Sequence, residues 1–104
     1  MRVADFFRER ARLERLQSRG AYAGDVFHAP ERILVRWETE AEVTQDASGR
    51  EVVTTAHVST LTPLGDGDRL THEDGRAGRV VRVSPNRDTR GRLSHYVAHL
   101  RSGA

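Results

Sequence analysis

Residues 64–100, LGDGDRLTHEDGRAGRVVRVSPNRDTRGRLSHYVAHL, hold three short apolar runs set apart by turn residues. The runs are Arg69-Leu70-Thr71, Arg79-Val80-Val81-Arg82-Val83 and His95-Tyr96-Val97-Ala98-His99-Leu100, each bounded by glycine, asparagine or aspartate. Between the first two, Glu73-Asp74-Gly75-Arg76 has the chemistry of a tight hairpin turn, because glycine reaches positive φ without a Cβ clash. Between the last two, residues 85–92 (PNRDTRGR) read as a longer polar connection. The segment therefore predicts a three-stranded antiparallel meander over 64–101, entered through the polar bend Gly65-Asp66-Gly67-Asp68.

Upstream, Ile33 to Thr44 gives the strongest single strand signal, rich in β-branched residues. Period-two alternation puts Ile33, Val35, Trp37, Thr39, Ala41 and Val43 on one face and Leu34, Arg36, Glu38, Glu40, Glu42 and Thr44 on the other. Gln45 to Arg50 is small, polar and glycine-bearing, hence a hairpin tip, and Glu51 to Leu61 is the returning strand. Arms of about ten residues exceed the usual ~5–6, so this long hairpin, 33–60, is expected to overhang a small barrel. Residues 18–31 hold Gly20, Gly24 and Pro30 and read as a loop, pinned by Tyr22, Val26 and Phe27. In the N-terminal arm, 1–10, Val3, Phe6 and Phe7 fall at helical spacing and predict a short helical segment. Residues 11–17 fit either a continuation of that helix, stopped at Gly20, or a strand. The fold class expected is mainly β: a single domain, 1–104, forming a small antiparallel β-barrel with a long hairpin.

Composition narrows the function classes. With 104 residues, 37% hydrophobic and 31% charged, the chain supports one modest core, and burial against partners would add to its stability. Without cysteine there is neither a disulfide framework nor a thiolate metal site. No apolar run approaches the ~20 residues that cross a bilayer. The opening MRVADFFRERARLERL lacks a signal-peptide core, which predicts an intracellular protein or one released with an assembled particle. All 17 basic side chains are arginine, whose planar fork suits interfaces, although a GC-rich genome gives the same bias; the net charge is only +2.

The chemistry-bearing residues point away from catalysis. His28, His57, His72, His95 and His99 are the candidates for general-base or metal work. His95 and His99 share a strand face, and His72 or Asp74 would have to supply a third zinc ligand. Exposed histidines beside Arg79, Arg82 and Arg101 are the commoner arrangement, so no metal site, cofactor or catalytic residue is assigned. Gly65-Asp66-Gly67 and residues 75–78 precede no helix and are turn glycines rather than phosphate loops. No serine sits in a nucleophile-elbow sequence. Glu38, Glu40 and Glu42 could hold a cation, but a solvated or subunit-facing stripe is commoner. Arg79, Arg82, Arg87, Arg90, Arg92 and Arg101 could meet phosphates without reading sequence. With Tyr96 alone to stack a base, a contact with acidic residues of a neighbouring subunit has equal standing.

The order of these parts resembles the head–tail connector proteins of tailed phages, in the head closure or stopper family, also found in phage-like gene transfer particles. The resemblance is carried by ARLERLQSRGAYAGDVF, RILVRWETEAEV, QDASGREVV and GDRLTHEDGRAGRVVRVSPNRDTRGRLSHYVAHL, from about Ala11 onward. It implies a non-enzymatic virion protein at the head–tail junction, assembled in the host cytoplasm as a homo-oligomeric ring, a hexamer or dodecamer. An adaptor and portal complex would lie above, tail terminator or tail tube proteins below, and double-stranded DNA in the lumen. The tip Gln45, Asp46, Ala47, Ser48, Gly49 and Arg50 would face the channel, and Phe6 and Phe7 would dock on the adaptor or a neighbour. Acidic Glu38, Glu40 and Glu42 opposite Arg79, Arg82 and Arg87 of the next copy would complete a head-to-tail contact. Two other readings stand beside this one. GDRL…GRAGRVVRV also resembles SH3-like barrels that bind nucleic acid without catalysis, and a metal-dependent enzyme on His72, His95 and His99 is the third.

Overall fold

The structure is a computed structural model that describes residues 7–20 and 24–102. Eight strands run in chain order: β1 (Glu9–Glu14), β2 (Leu16–Ser18), β3 (Val26–Phe27), β4 (Glu31–Gln45), β5 (Glu51–Thr60), β6 (Arg69–His72), β7 (Ala77–Arg87) and β8 (Leu93–Ser102). Six close into an antiparallel barrel in the order β1-β4-β5-β8-β7-β6, while β2 and β3 form a separate two-stranded ribbon. Closure leaves no unpaired sheet edge in the barrel wall.

Strand β1 completes the ring. Its residues pair with β4 on one side (Ala11 with Ile33) and β6 on the other (Ala11 with His72). This settles the open choice at residues 11–17 as strand. The expected N-terminal helix is not seen: Phe7 and Arg8 lie outside any helix or strand, and Glu9 and Arg10 already belong to β1. A partner ladder on both sides outweighs the weak helical spacing. Residues 1–6, including Phe6, lie outside the described residues.

Every barrel strand feeds the core: Ala11 and Leu13, Ile33, Val35 and Trp37, Ala56 and Val58, Leu70, Val80, Ala98 and Leu100. Burying a valine or leucine side chain contributes about 1.5–3 kcal/mol, against ~0–1 for an exposed ion pair, so these side chains hold the barrel. Thr60 is fully buried among them and satisfied, donating its hydroxyl to Leu34 O at 2.9 Å.

Three hairpins share one five-residue turn. His72-Glu73-Asp74-Gly75-Arg76, Asp46-Ala47-Ser48-Gly49-Arg50 and Asp88-Thr89-Arg90-Gly91-Arg92 each end in Gly-Arg. In each, the first residue's N–H donates to the arginine carbonyl (2.7, 2.8 and 2.8 Å), and the glycine N–H donates back to the first residue (2.9, 3.0 and 3.0 Å). The glycines sit at φ +99°, +87° and +78°, as a three-residue hairpin loop with a left-handed glycine requires. A side-chain acceptor at the first position takes the N–H two residues on: His72 Nδ1 from Asp74, Asp46 Oδ1 from Ser48, Asp88 Oδ1 from Arg90.

Departures from simple alternation shape the rest, two of them at the long hairpin and one, between Asn86 and Arg87, beside the last turn. Between Thr39 and Glu42 the β4–β5 register slips by one, with Glu40 and Ala41 standing opposite Thr55. The slip breaks the expected single face: Ile33, Val35 and Trp37 are buried, but Val43 is 64% exposed. A second slip falls between Val80 and Arg82. The long hairpin does not overhang freely, because Ala47 N–H donates to Val81 O at this second slip, at 3.1 Å. Conversely, the polar connection expected at 85–92 is shorter than that, since β7 continues through Pro85 to Arg87 and the turn itself is 88–92. Strand β6 pairs with β7 only from Ala77 to Arg79, so beyond that point the proline ring and missing N–H face no second partner.

Candidate functional site

The outward face of the barrel carries one continuous row. Glu38 on β4 pairs with His57 on β5, His57 with His99 on β8, and His99 with Arg82 on β7. His57 points outward because its neighbours Ala56 and Val58 fill the core. β4 and β7 are three strands apart in either direction round the ring of six. Glu38 and Arg82 therefore leave the barrel from opposite walls, both exposed. Glu38 also accepts from Arg36 Nε at 2.9 Å.

At the centre of the row is a histidine cluster. The rings of His57 and His99 meet edge to face with centroids 4.8 Å apart. From β4, Glu42 brings its Oε2 to 2.8 Å from His57 Nε2, and Glu40 Oε2 is 3.9 Å from His57 Nδ1. The Glu42 approach lacks hydrogen-bond geometry: His57 Nε2 and His99 Nδ1 are buried atoms without a hydrogen-bond partner among the described residues. Burial pushes the His99 imidazole below its ordinary pKa, His57 and Arg82 add to the effect, and Glu42 opposes it. The net result favours the neutral ring, which can accept a proton or ligate a metal. One donor atom from each of Glu42, His57 and His99 lies within 4.8 Å of the others.

This grouping differs from the histidines singled out in sequence. His72 is buried at the barrel end, 2.9 Å from Glu9 Oε1 and edge-on to Trp37. Glu9 also accepts the Trp37 N–H at 2.8 Å, capping the ladder that β1 leaves unfinished. Burial alone would raise the Glu9 pKa, but the Trp37 N–H, His72 and Arg76 together bring it below the ordinary value. His95 stacks obliquely on Phe7, centroids 5.9 Å apart, and reaches Asn86. The Glu42–His57 contact is not legible in the sequence because it depends on the pairing of β4 with β5; the local hint is the outward-facing His57 on a strand of mostly apolar and threonine residues.

Several residues expected at subunit contacts are engaged at home. Arg79 is buried, donating to Gly67 O at 2.9 Å and to Asp25 Oδ2 at 2.6 Å. It is paired across strands with Arg69, and the two guanidiniums stand over the Phe27 ring at 4.9 and 4.3 Å. Asp25 and Glu14 offset the like charges, Glu14 holding Arg69 through two bonds of 2.9 and 3.1 Å. Arg79 thus fastens the β2–β3 ribbon to the barrel instead of facing a neighbour. Phe27 does the pinning expected of the loop, Val26 is 47% exposed, and Tyr22 lies outside the described residues. Phe7 is 4% exposed and packs on its own chain, so it offers no docking surface. Arg82 and Arg87 are exposed, Arg87 bonding to Gly91 O within its hairpin.

The two hairpin tips lie at opposite ends of the barrel. Strands β5 and β8 are antiparallel, so Glu51 lies toward the Ser102 end of β8, while Leu93 lies toward Thr60. The tip Gln45–Arg50 folds over a cleft lined by Arg19, Asp66, Val80 and Val81. The tip Asp88–Arg92 is exposed throughout and carries Arg90 and Arg92 beyond Arg87. Comparison with protein-family models, with curated proteins and with solved structures found no match to this chain.

Proposed function

We propose that this protein is a structural connector subunit of a tailed-phage or phage-like particle, assembling as a ring between the portal–adaptor complex and the tail. The observation that carries the reading is the placement of acidic β4 and basic β7 on opposite walls of one barrel. A head-to-tail ring requires two different, complementary lateral patches, and Glu38 of one copy facing Arg82 of the next meets that requirement. Such pairing sets register more than affinity. Among the described residues, six large apolar side chains at least 45% exposed, Leu34, Val43, Val53, Leu61, Leu93 and Val26, add surface suited to burial between copies or against neighbours. In this reading the exposed Arg87–Arg92 hairpin is the element that reaches a component above or below the ring. The docked Gln45–Arg50 tip would have to leave Val81 to enter a channel.

Native mass of the purified chain at low and moderate salt tests the proposal. The expected result is a closed ring of one size. Glu38→Arg and Arg82→Glu each reduce it to smaller species, and the double variant restores it; a double variant that stays dissociated removes the charge pairing. A second reading, a small barrel binding nucleic acid, draws on exposed Arg10, Arg12 and Arg32, with Arg12 directly opposite Arg32 across β1 and β4. Like charges placed face to face favour an anionic partner. A monomer that binds DNA or RNA with a steep salt dependence, and forms no ring, would replace the connector reading with this one.

A further inference from the structure

We infer that Glu42, His57 and His99 form a binding site for one divalent transition-metal ion, and that zinc is the ion their chemistry fits. Two imidazoles and a carboxylate are a common three-ligand zinc set, leaving a fourth position for water or a partner's side chain. The backbone fixes much of the geometry. His57 and His99 are direct register partners on adjacent strands, where Cβ atoms stand ~4.5–5.5 Å apart. The third ligand, Glu42, comes from β4, which pairs with β5 on the side away from β8.

The polar accounting points the same way. His57 Nε2 and His99 Nδ1 are buried without hydrogen-bond partners among the described residues, and Glu42 Oε2 sits 2.8 Å from His57 Nε2 outside hydrogen-bond geometry. Buried ring nitrogens without partners are uncommon, and a shared cation would satisfy both along with the carboxylate. The donor atoms span up to 4.8 Å. Tetrahedral coordination at ~2.0–2.1 Å per bond puts ligand atoms about 3.3 Å apart, so on binding the widest pair closes by roughly an ångström or more while Glu42 Oε2 and His57 Nε2, 2.8 Å apart, open slightly. Glu40, 3.9 Å from His57 Nδ1, stands where an outer carboxylate steadies a metal-bound imidazole. The charges beside the site are Glu40, Glu38 with its partner Arg36, and Arg82 opposite His99. A bound ion would tie the β4–β5 hairpin to β8.

The test uses tag-free, full-length protein freed of metal by a chelator. Zinc chloride is titrated by calorimetry, and cobalt(II) chloride is followed in the visible. The expected result is one equivalent bound, with the intense visible bands of tetrahedral cobalt. His57→Ala and His99→Ala lose this binding, Glu40→Gln weakens it about ten- to hundredfold, and His28→Ala, remote on the β3 side, leaves it intact. If either histidine variant fails to fold, imidazole nitrogen NMR of the folded wild type decides, the resonances of His57 and His99 shifting together at one equivalent of zinc. Absence of binding by the folded wild type would overturn the site. So would binding undiminished in the folded histidine variants, or zinc shifts confined to other histidines.

Discussion

The hairpins at residues 45–51 and 87–93 carry the same turn and meet opposite fates. Both read Asp-x-x-Gly-Arg, both close with the same two backbone bonds, and both use the aspartate carboxylate to hold N–H groups two and four residues on. The first curls onto the barrel and bonds to Val81. The second projects, exposed, with three arginines. Turn chemistry fixes the reversal of the chain, whereas the destination of the tip depends on what the strands beneath it leave open. The slip between Val80 and Arg82 leaves Val81 O outside the regular ladder, and the coiling of β4 past its own slip brings Ala47 to that carbonyl. The β7–β8 pair slips again between Asn86 and Arg87, beside the second tip, yet that tip stays exposed, so a slip alone does not dock a tip.

The difference can be broken most sharply at Val81. Val81→Asp puts an unpaired carboxylate at a side chain 7% exposed and is expected to cost about 3 kcal/mol or more, releasing the first tip. Leu93→Asp, at the base of the second hairpin and 45% exposed, is expected to stay within about 0.5 kcal/mol. Urea denaturation of the pair reads the contrast; equal losses would mean that docking contributes nothing. Next in size, Gly49→Ala and Gly91→Ala each force a Cβ into the left-handed region and should cost about 1 kcal/mol, seen in the same melts. Gly49→Ala should in addition raise hydrogen exchange at Ala47, with no counterpart for Gly91.

The smallest effect concerns pH. The Ser48 hydroxyl, then the Arg50 and Ser48 N–H groups, hold the Asp46 carboxyl below its ordinary pKa. A carboxylate depressed in the folded state contributes its stability above the unfolded pKa and loses it as pH falls through the lower, folded value. The docked tip should therefore loosen on acidification below about pH 4, read as faster exchange at Ala47 before the core amides change. Exchange at Ala47 that rises only with global unfolding would show the tip held by the barrel rather than by its own aspartate.

Much of this architecture is legible in the chain. The alternation Ile33-Val35-Trp37, the three Gly-Arg turns and the apolar runs at Leu70, Val80 and Ala98 locate five of the six barrel strands. Strand β1 is not, because Phe6, Phe7 and Leu13 satisfy a helical spacing as well as an extended one. Pro85 reads as the start of a loop, and becomes strand because β6 ends before reaching it. Of the side chains expected at a contact surface, Glu38 and Arg82 are exposed, while Arg79 is engaged by Asp25 and Phe27 and Phe7 by packing on His95. Neither outcome can be read from position alone, since each depends on a partner far away in the chain, Asp25 and Phe27 for Arg79 and His95 for Phe7.

The sequence by itself determined where the chain extends and where it turns, because alternation and glycine conformation are local properties that each residue carries wherever it sits. Closure of the six strands, the gathering of Glu42 with His57 and His99, and the docking of one tip but not its twin were decided by the tertiary structure. Each depends on register between residues far apart in the chain, and a shift of one residue in that pairing exchanges the inner and outer faces while leaving the local pattern unchanged.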